Sequence, residues 1–111
     1  MSVPLLEIKT PVKALLRSAE YRPGAYAPSE ELRGGIAQVT GYRQTLLTEW
    51  NTIARDEPVE ASNPRCVLLI GKVEGHLDDK ERRRSFELFR RSLSDVEVVT
   101  YDEFFARVRV A

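Results

Sequence analysis

The segment CVLLIG at residues 66–71 is apolar at every position before its glycine. A strand with one wet face alternates apolar and polar residues. A strand with no polar break is covered on both faces, as in parallel sheets packed by helices. Such a strand needs a neighbour on each side. Two other segments qualify. Residues 4–10 read as a strand ended by Pro11, and VEVVT at 96–100 reads as another, interrupted by Glu97. The expected sheet therefore has 66–71 at its centre, with the other two strands parallel to it on either side. Right-handed crossover helices should join them.

The intervening segments carry the helices. Ser29 is a suitable cap, and Glu30 and Glu31 suit the positive end of a helix dipole. Leu32, Ile36, Val39, Leu46, Trp50 and Ile53 then recur at helical spacing, which predicts an amphipathic helix to about residue 55. Gly34, Gly35 and Gly41 are costly inside it, at roughly 1 kcal/mol each against Ala. Close approach to a neighbour, or an irregular helix start, would account for them. A turn-rich connection follows at 56–64. A second helix is expected from about Asp78 to Leu93, with Asp78 and Glu81 as a capping box and Phe86, Phe89 and Leu93 as its apolar stripe. Thr100 and Glu103 form another capping box, and Phe104, Phe105 and Val108 belong to a short final helix. Residues 11–28 fit no element. Pro11, Pro23, Gly24 and Pro28 punctuate them, and they read as a functional loop or a flexible surface excursion.

The 111 residues suffice for one domain. Lys plus Arg and Asp plus Glu balance at 17 each, so no global field draws the chain to nucleic acid or membrane, and any attraction must be local. One cysteine, Cys66, excludes an internal disulfide and fits a cytoplasmic protein, with a small buried hydrophobe as its expected role. No apolar run approaches the roughly 20 residues of a membrane helix. His76 has no second His or Cys to make a zinc site with, and KERRR at 80–84, with Arg90 and Arg91, reads as a solvated face offset by nearby acids. IGK at 70–72 lacks the rest of a phosphate-binding loop. Asp102 and Glu103 fit a helix's first turn better than a catalytic role.

The first strand carries the chemistry of interest. In LLEIKTP, Leu5, Glu7 and Lys9 share one strand face, and Leu6 and Ile8 share the other. A carboxylate is a hard oxygen ligand suited to Mg²⁺. A lysine two residues further lies about 6–7 Å along the same face, where its ammonium can position water and offset charge on a phosphate. Taken alone, Glu-x-Lys also describes an ion pair on a solvated edge strand, worth about 0–1 kcal/mol. Here it sits in an apolar strand, and Gln38 and Tyr42 follow on one face of the next helix.

LLEIKTP followed by GGIAQVTGYR resembles the PD-(D/E)xK nuclease superfamily, in its branch with a Gln-x-x-x-Tyr helix motif. The stretch from Pro64 to Val108, with a strand ending in Ile-Gly, a basic helix with Phe and Arg, and a TYDEF ending, resembles the end of the Shedu-type anti-phage defence nucleases. The resemblance implies a three-layer restriction-endonuclease-like α/β core, with residues 1–111 forming a single partial domain. It implies that Glu7 is a metal ligand, that the Ile8 carbonyl is a second, and that Lys9 is the catalytic lysine. Gln38 would approach the metal or its water, and Tyr42 would place the substrate backbone. Mg²⁺ or Mn²⁺, DNA, and a homo-oligomer are implied with it, without a membrane or a small-molecule cofactor. Lys13, Arg17, Arg22 and Arg43 are the residues expected to meet phosphates.

One departure shapes the expectation. The superfamily's first acidic ligand lies on the strand before Glu-x-Lys, whereas six residues precede Glu7 and none is acidic. The sequence therefore reads as a truncated, mostly parallel three-stranded core lacking the front of its domain, inactive by itself and prone to pair through residues 3–10. The alternative is a catalytically incomplete α/β module for oligomerisation or nucleic-acid binding.

Overall fold

A computed structural model describes residues 5–53 and 65–110. Strands β1 (Leu5–Ile8), β2 (Cys66–Leu69) and β3 (Val96–Val99) alternate with helices α1 (Glu30–Ile53), α2 (Lys80–Arg91) and α3 (Tyr101–Val110). The sheet is parallel throughout, in the order β1-β2-β3, so the apolar central strand expected from 66–71 is central. Its register pairs Leu5 with Cys66 and Val96, and Glu7 with Leu68 and Val98. Partners in register project to the same face.

That face holds the main core. Cys66, Leu68, Val96 and Val98 pack with Leu32 and Val39 of α1 and Phe86 of α2 in one buried cluster. Both crossover helices thus lie on one side, as right-handed connections require for strands added in one direction. Phe86 is fully buried, which contributes about 1.5–3 kcal/mol relative to an exposed ring. On the other side, α3 returns over β2 and β3. Leu69 and Val99 are buried there, and Arg107 reaches Glu97 at 3.3 Å.

Local chemistry fixes the ends of these elements. The Ser29 hydroxyl accepts the Leu32 N–H at 3.0 Å and donates to the Ala14 carbonyl at 2.7 Å, so it both caps α1 and ties the preceding segment to it. Thr100 and Glu103 make the reciprocal box: the Thr100 N–H donates to Glu103 Oε1 at 3.0 Å, and the Glu103 N–H to Thr100 Oγ1 at 3.4 Å. The cap of α2 is Asp79, not Asp78. Asp79 accepts the Arg82 N–H at 2.7 Å, while Asp78 accepts the Gly75 N–H at 2.9 Å and closes the turn before the helix.

Residues 11–28 are an ordered excursion. Leu16 bridges Pro28 and Arg22 bridges Ala25, both antiparallel, around a tip at Gly24. Leu15 and Leu16 plug the core from this segment, as Leu77 does from the 71–79 loop. Gly71, with φ +65°, lets the segment cross the end of β2: a Cβ there would lie 2.8 Å from Leu15 Cδ2 and 3.0 Å from the Lys13 carbonyl oxygen. Of the three glycines in α1, Gly35 has the close approach, since its Cβ would lie 2.9 Å from Leu68 Cδ1. Gly34 and Gly41 face open space. The side chains of Trp50 and Ile53 and the connection at 56–64 lie outside the described residues.

Candidate functional site

Strand β1 turns its charged residues toward the covered side. Glu7 is in register with Leu68, the residue beneath Gly35 of α1, and Lys9 follows on the same face. Both are half-buried, whereas Leu6 and Ile8 on the opposite face are 56% and 58% exposed. Among the described residues, the side chains of Glu7 and Lys9 make no hydrogen bond or ion pair. A carboxylate and an ammonium left unpaired on a partly desolvated face are costly for folding alone.

The backbone around them follows from the parallel ladder. Leu5 donates to the Arg65 carbonyl at 2.7 Å and Lys9 to the Leu69 carbonyl at 2.8 Å. Residues 5 and 7 therefore direct both backbone groups toward β2, as Lys9 directs its N–H, and residues 6 and 8 direct theirs the other way. The Ile8 carbonyl points to the edge of β1, which no described strand covers. At the end of the strand the Tyr101 hydroxyl donates to the Lys9 carbonyl at 2.6 Å and holds β1 to α3.

Helix α1 brings in the next pair. The Gln38 side-chain amide donates to the Tyr42 hydroxyl at 3.0 Å, as their i,i+4 spacing predicts, and both are exposed. Gly35 lies over Leu68, and the Val39 carbonyl lies 3.9 Å from Cys66 Sγ. Leu68 shares its register with Glu7 and Cys66 shares its register with Leu5. Gln38 thus sits along α1 between the levels of Glu7 and Leu5.

Of the four expected phosphate-binding cations, Arg43 lies at the opposite end of the strands from Lys13. Lys13 is beside Gly71 at the C-terminal ends of the strands, and Arg43 is half-buried close enough to Cys66, at their N-terminal ends, to lower its thiol pKa against the larger effect of burial, which raises it. Arg17 lies 3.9 Å from Glu30 at the start of α1, both exposed. Arg22 lines a cleft with Arg84 and Ser85 of α2. His76 is half-buried, and its Nδ1 accepts the Lys72 N–H at 3.4 Å.

A second polar cluster is structural. Arg90 donates to Glu103 at 2.6 Å and 2.7 Å, to Glu87, and to the Val98 carbonyl at 3.1 Å, with its guanidinium over the Phe86 ring. Hydrogen bonds to Glu103 raise the Arg90 pKa further, so this arginine is held in the fold. Asp102 accepts the N–H groups of Val73 and Glu74 at 2.9 Å and 3.1 Å. Burial pushes its carboxyl pKa up, but bonds from Thr100, Val73 and Glu74 outweigh that and hold it at about 2. The sequence placed Asp102 in a first turn. Its clamp on the 71–77 loop is long-range and carries no sequence signal.

For a divalent cation the donor set of the described residues is incomplete. Glu7 offers one carboxylate and Ile8 one edge-facing carbonyl, and no group of three or more His, Cys, Asp or Glu converges among the described residues. A hard cation takes more oxygen donors than these two. Among the described residues no helix is long and apolar enough to cross a membrane.

The family profile described as "Shedu protein SduA, C-terminal" matches residues 1–105. A curated relative, the Shedu protein SduA of Bacillus cereus (strain B4264), is 38% identical over 112 residues. That match takes in 95% of this chain and 29% of the relative's length. The chain belongs to the family of the C-terminal region of the Shedu protein SduA.

Proposed function

We propose that this chain supplies the Glu-x-Lys half of a DNA-cutting site in a bacterial anti-phage defence protein, and that it does not cut DNA by itself. The observation that carries the reading is the orientation of β1: Glu7 and Lys9 occupy the face beneath α1 while Leu6 and Ile8 are left bare. Folding alone favours the reverse. Lys9 is the group that offsets charge on a phosphate, and Glu7 is one oxygen donor of a site completed by donors beyond those of the described residues. Gln38 would approach the metal or its water, and Tyr42 would place the nucleic-acid backbone. Mg²⁺ or Mn²⁺ belongs to the completed site. The two donors here do not hold such an ion in place, and misplacement by about 1 Å costs roughly a hundredfold in rate. The test is relaxation of supercoiled plasmid with Mg²⁺ or Mn²⁺. This chain alone should leave the plasmid intact. A chimera in which it replaces the matching segment of the Bacillus cereus relative should relax it. A chimera that folds and never cuts, under conditions where the unmodified relative cuts, would refute the reading.

A second reading, an assembly module, has its own observation. Leu6 and Ile8 are exposed at the edge strand β1, and Phe104, Phe105 and Val108 are exposed on α3, on the same side of the sheet. Edges of this kind pair with other chains. Sedimentation of the chain with and without Leu6→Ser and Ile8→Ser separates this reading from a monomeric fragment.

A further inference from the structure

We propose that the outward side of α2, with Arg22 opposite it, is a phosphate-contact ridge for duplex DNA, separate from the β1 site. The proposal rests on the reading that this protein acts on DNA. The acids of this region are largely taken up by local contacts. Asp79 caps α2 and pairs with Arg82, Asp78 closes the turn at Gly75, and Glu87 pairs with Arg90. Glu20 holds the Gly24 N–H and the Tyr26 hydroxyl inside the hairpin. These carboxylates, which cancel the basic run in the sequence, are therefore engaged in the fold. Glu81 is the one carboxylate of α2 with no ion pair among the described residues.

The cations divide in the same way. Arg82 stacks on Tyr26, and Arg90 is tied to Glu87 and Glu103. Lys80, Arg84 and Arg91 are exposed and make no ion pair among the described residues. At about 100° per residue these three lie within a sector of roughly 40° on the side away from Phe86. They span eleven steps, or about 16 Å of helix axis. A DNA strand presents a phosphate every 3.4 Å or so of duplex axis, so a ridge of this length runs past about five. Arg22 faces Arg84 across a cleft that Glu81 also lines, and adds a fourth cation from the hairpin. Glu87 lies on the same side but is paired with Arg90, so the four cations outnumber the one unpaired carboxylate, Glu81, and in a chain of zero net charge such a local excess attracts a polyanion to one face.

The ridge has a defined place relative to Glu7. Arg90, on the same helix, reaches the carbonyl of Val98 in β3, while Glu7 is on β1 at the other edge of the sheet. The ridge therefore anchors backbone away from the reacting pair and takes no part in the chemistry.

Anisotropy of a labelled duplex with the 111-residue chain, titrated over a range of NaCl, tests this. The variant Lys80→Gln/Arg84→Gln/Arg91→Gln should flatten the log–log salt slope by about two to three units, at about 0.9 per lost phosphate contact. A control with the same charge change, Arg33→Gln/Lys72→Gln/Arg109→Gln, should change it by less than about one. Circular dichroism and thermal melting should be unchanged in both. An unchanged slope in the first variant, or an equal loss in the control, would overturn the ridge and leave the DNA reading standing. A wild-type chain with no affinity for duplex would also overturn the ridge, and the chimera's plasmid assay reports on the DNA reading independently.

Discussion

Three glycines in one helix give an internally controlled test of how α1 lies on the sheet. Each Gly→Ala change gains roughly 1 kcal/mol of helix propensity. At Gly34 and Gly41 the new methyl meets nothing within 4 Å, so the gain should appear in full. At Gly35 the methyl would lie 2.9 Å and 3.0 Å from the two Cδ atoms of Leu68, a residue with no exposed surface. Those atoms end a flexible side chain, but the surrounding core leaves them little room. Overpacking of this kind costs about 1–3 kcal/mol. The net at Gly35 is then between no change and a loss of about 2 kcal/mol. Urea unfolding followed at 222 nm should show Gly34→Ala and Gly41→Ala each stabilised, with melting points higher by about 4–5 °C. Gly35→Ala should be neutral or destabilised, and Gly35→Val more so. If Gly35→Ala is stabilised as much as Gly34→Ala, α1 does not press on Leu68. The placement of Gln38 between the levels of Glu7 and Leu5 would fall with it.

Three further outcomes follow from the polar clusters. Thr100→Val removes the reciprocal cap of α3 and should cost about 1–2 kcal/mol, read as a lower urea midpoint. Asp102 is held at a pKa of about 2, below its unfolded value, so its contribution is complete above the unfolded pKa and lost as pH falls from about 4 towards 2. The stability gap between wild type and Asp102→Asn, measured by urea midpoints, should be constant near neutrality and close across that window. Tyr101→Phe removes the bond to the Lys9 carbonyl, worth about 1 kcal/mol, and should speed hydrogen exchange at the β1 amides while leaving those of β3 unchanged.

What the sequence disclosed was local or periodic. The Ser29 cap and the Thr100–Glu103 box depend on residues three apart, and both are present as read. The central position of β2 follows from its unbroken apolar run, and the Gln38–Tyr42 bond from a four-residue spacing. The core positions Leu15, Leu16 and Leu77 were hidden because they lie in irregular segments, where no period marks an inward face. Asp78 and Asp79 are both cap residues by type, and only the turn that Asp78 closes decides between them. The separation of Arg43 from Lys13 depends on which end of the strands each occupies, a tertiary fact. The face that Glu7 and Lys9 share was legible from strand alternation. That it is the face beneath α1 was not, because alternation does not say which side a helix will cover.

The central claim is that β1 presents Glu7 and Lys9 as the reacting pair. Its most direct test is plasmid cleavage with Mg²⁺ or Mn²⁺ by the chimera with the Bacillus cereus relative, compared with its Glu7→Ala and Lys9→Ala variants at matched duplex binding and unchanged circular dichroism. The account predicts that each substitution abolishes cutting while DNA binding and fold persist. Cutting that survives Glu7→Ala would place the site elsewhere and contradict it.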